Sequence, residues 1–415
     1  MNDPDSTPRG SMRTARPASN KAAIVLRGCA AGWDGAHRIG GCDVVLEHGR
    51  VTAVGPGVAM EAPDSAVVVD CTGLIVLPGL IDAHTHAVWA GTRLADFVRR
   101  QGGASYASIL EGGGGIHTTV TATRAAGDAL LLELARARLR PMLNRGVTTV
   151  EIKSGYGLTV ADEARLLRTA RAAAGPLRVE PTFLGAHAIP RDRPREDYLD
   201  ELCGPMLAAC APLATAVDVY CDRGAFTLAE ADRILRAGRA LGLAVKAHAE
   251  QVEFTGVAAL AASLGALSCD HLERIDDAGI AAMAAAGSVA VLLPGAMLYL
   301  RDPCPPVARL REAGVPFAVA TDLNPGSSPV GDLWTAATLA CLTMGLSPEE
   351  ALRGITESAA RALGHLDRGH LRPGAVADVA LFRPPPGEVA DPLVFVQYMG
   401  GHEAEQVYIG GVRAK

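Results

Sequence analysis

Aromatic residues make up only 4% of this 415-residue chain, too few for stacking on bases or sugars to be its main theme. Basic residues are not in excess: 39 Lys and Arg against 45 Asp and Glu give a net charge of −6. A broad cationic footprint for nucleic acid is therefore absent, and only a local one is left open. The nine cysteines form no C-x-x-C pair. Their odd number and scattered spacing suggest reduced core thiols in a cytoplasmic protein. No segment reads as a membrane span. The nearest, residues 280–300, carries Gly287, Ser288, Pro294 and Gly295 in its second half, and a helix followed by a buried strand accounts for it. The first twenty residues hold three prolines and three arginines but no apolar stretch of a secretory signal. They read as a disordered tail.

What remains is ordinary globular composition. Apolar residues make up 49% and charged residues 20%, which excludes a mainly disordered chain. At roughly 150 residues per domain, one to three domains are allowed. From residue 21 to about 77 the chain reads as short Val-rich runs (23–26, 43–46, 67–69) separated by Gly49, Gly55 and Gly57. The same texture returns at 377–382 and 406–409. Chain ends often lie close together, so residues 21–77 and 370–415 are expected to form one composite β-sandwich domain.

The middle, residues 78–369, alternates differently. Apolar strand candidates end near Asp82, Lys153, His187, Cys221, His248, His271, Leu293 and Asp322. Between them lie stretches such as 128–143, 162–174 and 228–240, whose apolar residues recur at three and four positions. This α/β alternation predicts a (β/α)8 TIM-like barrel. A doubly wound open sheet is the alternative, but no glycine fingerprint follows the first middle strand. About forty residues between His86 and the helix near Asp128 read as one long connection with Gly102-Gly103 and a four-glycine run at 112–115. No Gly-Lys-Ser/Thr follows to make a phosphate cradle, so an active-site loop is expected.

In such a barrel, chemistry belongs where strands end. Five of the eleven histidines (His84, His86, His187, His248 and His271) stand at predicted strand C-termini, where about one would fall by chance. His84 and His86, at i and i+2 on a strand, share a face. Neutral imidazoles there suit zinc or ferrous iron. His248 and Asp322, from strands five and eight, complete a set of three nitrogens and one carboxylate with an open position for water. An accidental half-buried pair is the bland alternative for His-x-His taken alone. Glu151 and Lys153 are expected to form an interior ion pair.

The run Pro78-Gly79-Leu80-Ile81-Asp82-Ala83-His84-Thr85-His86 resembles the first-strand signature of the amidohydrolase superfamily. Ala104-Ser105-Tyr106, the glycines at 112–115, Glu151-Ile152-Lys153-Ser154-Gly155-Tyr156-Gly157, Phe183-Leu184-Gly185-Ala186-His187, Lys246-Ala247-His248-Ala249-Glu250-Gln251 and the stretch from Ala320 to Ser328 extend it. Together they resemble the imidazolonepropionase family. That resemblance implies hydrolysis of 4-imidazolone-5-propanoate to N-formimidoyl-L-glutamate in histidine degradation. It implies one metal ion per subunit, Zn2+ or Fe2+/Fe3+, on His84, His86, His248 and Asp322. It assigns substrate contacts to Arg93, Tyr156, His187, Gln251, Asn324, Gly326 and Ser327. A homodimer is compatible with it. The expected partner is a small molecule, with no nucleic acid and no membrane.

Within that frame Asp322 is the expected general base and His271 the partner of the attacking water or the developing oxyanion, unless His271 is only a core histidine. Asp270 beside it would point to the other face. Arg93 is expected to grip the substrate carboxylate with its planar fork. Strand four ends in Val219-Tyr220-Cys221-Asp222 without a lysine, so a carbamylated-lysine binuclear centre is not supported. Related deaminases favour Glu three positions after the fifth-strand histidine. Here Gln251 stands there and Glu250 precedes it, which leaves an aminohydrolase of a nitrogen heterocycle as the alternative function.

Overall fold

The computed structural model describes residues 22–103 and 114–415. The expected tail at 1–20, the Ala104-Ser105-Tyr106 motif and the start of the glycine run at 112–115 lie outside them. Eight parallel strands form one sheet in chain order: Leu80–Asp82, Val147–Lys153, Arg178–Ala186, Ala216–Cys221, Ala244–Ala249, Ser268–His271, Val289–Leu292 and Phe317–Val319. Strands covered on both faces need no alternating pattern. Every residue of Val147–Lys153 is accordingly buried.

The last strand ends three residues earlier than expected, at Val319. The chain beyond it closes the cylinder instead. Asp322 N donates to His84 O at 3.0 Å and His86 N to Leu323 O at 3.0 Å, around a parallel bridge between Thr85 and Leu323. The Asp82 carboxylate adds bonds to Thr321 Oγ1 (2.6 Å) and Thr321 N (3.2 Å). The barrel is thus sealed by the segments that carry His84, His86 and Asp322.

Helices Asp128–Asn144, Val160–Ala173 and Leu228–Ala240 stand where the spacing predicts them. The last begins with a capping box between Thr227 and Glu230. It packs so closely that a Cβ on Gly238 would stand 2.5 Å from Val217 Cγ1. Residues 280–300 fold as the end of helix Asp277–Ala286, the buried strand Val289–Leu292 and the helix Pro294–Leu300. Among the described residues no helix is long and apolar enough to cross a membrane.

The long connection departs from expectation, because it holds helices Leu94–Gln101 and Ile116–Ala125. All nine cysteines are free. Cys304 is exposed rather than in the core, and Cys203 and Cys341 are half-buried.

Both chain ends build two facing sheets. A four-stranded sheet runs Arg50–Gly55, Cys42–Glu47, Ile24–Cys29, Val67–Asp70. A six-stranded sheet joins Val379–Phe382 and Ala404–Ile409 to Ile75–Pro78 and Ala31–Trp33. Leu26, Val44, Leu46, Val76, Val379 and Leu381 from the two sheets share one core, the arrangement of a sandwich. Ile75–Pro78 leads through Gly79 into the first barrel strand. A Cβ on Gly79 would stand 2.2 Å from Thr148 Oγ1, so only glycine lets the chain pass from sandwich to barrel at this approach.

Candidate metal centre

Barrel closure sets His84, His86 and Asp322 side by side, and Ala244–Ala249 brings His248 to the same point. Asp322 Oδ1 lies 3.4 Å from His84 Nε2 and 3.5 Å from His86 Nε2. The His84 and His248 rings are 4.6 Å apart between centroids. Donor atoms of His84, His86 and Asp322 lie within 4.8 Å of one another, as do those of His84, His248 and His271. Metal–nitrogen bonds of about 2.1 Å in a tetrahedron place neighbouring donors about 3.4 Å apart.

Each orienting carboxylate fixes a tautomer. Asp270 Oδ2 accepts from His84 Nδ1 at 2.6 Å, and Asp218 Oδ1 accepts from His248 Nδ1 at 3.1 Å. The proton sits on Nδ1 in both rings, which leaves Nε2 as a lone pair. These two Nε2 atoms are buried without a hydrogen-bond partner among the described residues, as is His86 Nδ1. Burial holds His84, His86 and His248 below the usual histidine range, with Lys153 adding to the effect. Neutral imidazoles with free, convergent lone pairs are the donors a divalent cation takes. The chemistry fits a metal ion.

A further buried group of His84, Glu151 and Asp270 is not a second cation site, because ammonium groups already fill it. Lys153 Nζ lies 2.9 Å from Glu151 and 2.7 Å from Asp218, and Lys246 Nζ lies 3.2 Å from Glu151. The expected ion pair is present within a larger cluster. Burial works to raise Asp218, but His248 and Lys153 outweigh it and hold the carboxyl well below its usual range.

His271 faces the same space. Burial would lower its pKa, but the carboxylates of Glu273, Asp322 and Asp270 outweigh that and push it up to about 9. Glu273 stands 3.8 Å away, an ion-pair rather than a hydrogen-bond separation. Asp322 is pushed up to about 7 by burial, against the pull of His271. Asp270 does not point outward. It lies inside against His84, on the face it shares with Ser268, and His271 joins it there because its φ of 81° breaks the strand alternation. Glu250 (φ 58°), His271 and Asp322 (φ 52°) all adopt left-handed backbone at the barrel mouth, a strained conformation that clusters at functional sites.

The expected substrate contacts gather around this point with differing freedom. Arg93 caps the helix Leu94–Gln101, with its Nε on Asp96 and its Nη1 facing Gly326, where a Cβ would approach to 2.8 Å. Tyr156 lies 5.9 Å from His86 and 5.3 Å from His187, centroid to centroid. His187 stacks on His86 at 4.9 Å and contacts Gly155 O through Nδ1 at 3.1 Å. Gln251 is buried at the same end of the barrel. Asn324 is already committed: its Oδ1 accepts from Gly326 N and Ser327 N at 2.8 Å, and its Nδ2 donates to Asp322 O at 2.7 Å. It shapes the turn that presents Gly326 and Ser327.

Residues 95–414 match the amidohydrolase family model. An imidazolonepropionase of Aromatoleum aromaticum is 55% identical over 322 residues, covering 76% of this chain and 78% of the relative. One from Xanthomonas euvesicatoria is 50% identical, covering 82% and 86%. The chain belongs to the imidazolonepropionase family of amidohydrolases. Its fold is similar to that of a zinc-bound adenosine deaminase from Xanthomonas campestris, with TM-score 0.70, 18% identity and 94% and 92% of the two chains covered. It is also similar to N-isopropylammelide isopropylaminohydrolase from Burkholderia multivorans, with TM-score 0.68, 20% identity and 95% and 98% covered.

For this imidazolonepropionase-family chain, sequence reasoning missed the layer beneath the donors. Asp218, Asp96, Glu163 and Glu273 carried no motif. Glu163 accepts from Gly155 N, Gly157 N and Leu158 N at 2.9, 2.7 and 2.7 Å, and so fixes the loop that bears Tyr156. A signal existed for Asp218 alone, since single acids inside apolar buried strands rarely lack a buried partner.

Proposed function

We propose that this chain opens the ring amide of 4-imidazolone-5-propanoate to give N-formimidoyl-L-glutamate, using one zinc or iron ion held by His84, His86, His248 and Asp322. The observation that carries the ligand assignment is the pair of buried Nε2 lone pairs on His84 and His248, each turned inward by a carboxylate on Nδ1. When bound, the ion lowers the pKa of its water to about 7 and polarises the carbonyl. Asp322, set beside His84 and His86 at the barrel mouth, takes the proton from the attacking water. His271 donates to the developing oxyanion. Arg93 binds the propionate, its guanidinium aimed by Asp96 so that Nη1 faces the Gly326 turn. Tyr156 and His187 wall the pocket and limit water.

The deaminase alternative needs a free acid just after His248. Glu250 is the nearest, and its carboxylate is spent on Thr255 N (2.6 Å) and Ala258 N (3.1 Å) at a helix start. The test is incubation with imidazolonepropionate together with metal quantification. Ring opening without ammonia supports the hydrolase, and ammonia release from a purine or pyrimidine supports the alternative. We also infer a composite domain of residues 21–77 and 370–415 and a cytoplasmic homodimer. Limited proteolysis, fractionation and sedimentation test them.

A further inference from the structure

Beneath the donors, one side chain touches both carboxylates that aim His84 and His248. Lys153 is fully buried, and its Nζ lies 2.7 Å from Asp218 Oδ2, 2.9 Å from Glu151 Oε2 and 3.4 Å from Asp270 Oδ2. The other oxygen of Asp218 accepts from both Nδ1 and N of His248, at 3.1 Å each. The same Asp270 oxygen that faces Lys153 accepts from His84 Nδ1 at 2.6 Å. The main chain of Lys153 joins in, its N donating to Thr85 O at 2.9 Å, between His84 and His86.

We infer that Lys153 is a positioning residue for the metal centre, its ammonium holding Asp218 and Asp270 together and through them fixing the ring orientations of His248 and His84. This rests on the ligand roles proposed above for those histidines. The ammonium donates a hydrogen bond to Asp218 Oδ2 and pairs by charge with Glu151 and Asp270. Two carboxylates brought to one nitrogen repel each other without it, which pushes Asp218 and Asp270 apart against the bonds from His248 N and Ser268 Oγ that also hold them, and displaces the histidine on each. Lys246 does not duplicate the task, because its Nζ is directed to Glu151 and to the carbonyls of Ala83 and Ala362. Lys153 stands behind the ring nitrogens that face the carboxylates, so it acts on the donors without reaching the substrate.

The test is zinc affinity, measured by chelator competition, with the visible spectrum of the cobalt-substituted protein as a second readout independent of turnover. Lys153→Met should lower zinc affinity about 10–100-fold, the usual cost of losing an outer-sphere partner, and should alter the cobalt bands. Lys153→Met/Glu151→Gln, which removes the ammonium and one neighbouring charge together, covers the case in which the single variant does not fold. Adding Lys153→Met to Asp218→Asn/Asp270→Asn should cause no further loss, since the carboxylates transmit the effect. A folded variant with unchanged zinc affinity and cobalt spectrum overturns the inference. So do losses that multiply when the variants are combined. A wild-type protein that takes up no zinc or iron defeats the ligand assignment and this inference with it, whereas a metal-binding wild type with indifferent variants defeats this inference alone.

Discussion

Asp270 accepts a 2.6 Å hydrogen bond from Nδ1 of His84 across 186 positions of sequence. Ser268 Oγ donates to its other oxygen at 2.6 Å, so the carboxylate has one orientation to offer. Asp270→Asn presents either an amide or a carbonyl to His84 and loses the charge that favours the Nδ1 proton. Metal content after dialysis against chelator should fall, with affinity reduced about 10–100-fold. Retention equal to the wild type would free His84 from this dependence.

Asp322→Asn keeps the shape and removes the proposed base. Turnover should drop by about 10²–10⁴, with weaker metal retention. An unchanged kcat would remove Asp322 from the mechanism.

Arg93→Ala should mainly raise KM, with kcat nearly kept, because the guanidinium serves ground and transition states alike. Arg93→Lys should recover little, since an ammonium cannot reproduce the planar fork. Asp96→Asn should raise KM in the same direction. An unaltered KM in Arg93→Ala counts against the propionate clamp.

Gly238→Ala places a methyl group against Val217. Overpacking at such a contact costs about 1–3 kcal/mol, read as a lower denaturant midpoint. Undiminished stability would mean that helix Leu228–Ala240 shifts without cost.

Much of this was legible in sequence. Buried parallel strands leave continuous apolar runs such as Val289–Leu292, so their ends, and the histidines there, could be placed. The orienting layer left no such trace. Asp218 and Asp270 are single acids in apolar strands, and alternation put Asp270 on the wrong face because nothing in the sequence announces that His271 turns left-handed. The helix Ile116–Ala125 was missed for a propensity reason: four threonines and a valine are weak helix formers. The helix Leu94–Gln101 was hidden by the glycines after it and by Leu94 and Val98, which are exposed and give no buried face to read.

The joint between first and last strands is made by backbone groups of His84, His86, Asp322 and Leu323, and the candidate donors sit on the same few residues. A cation bound there is therefore also a rivet. Amide protons along this edge should exchange faster once the ion is stripped, because local opening of the cylinder and escape of the ion draw on the same contacts.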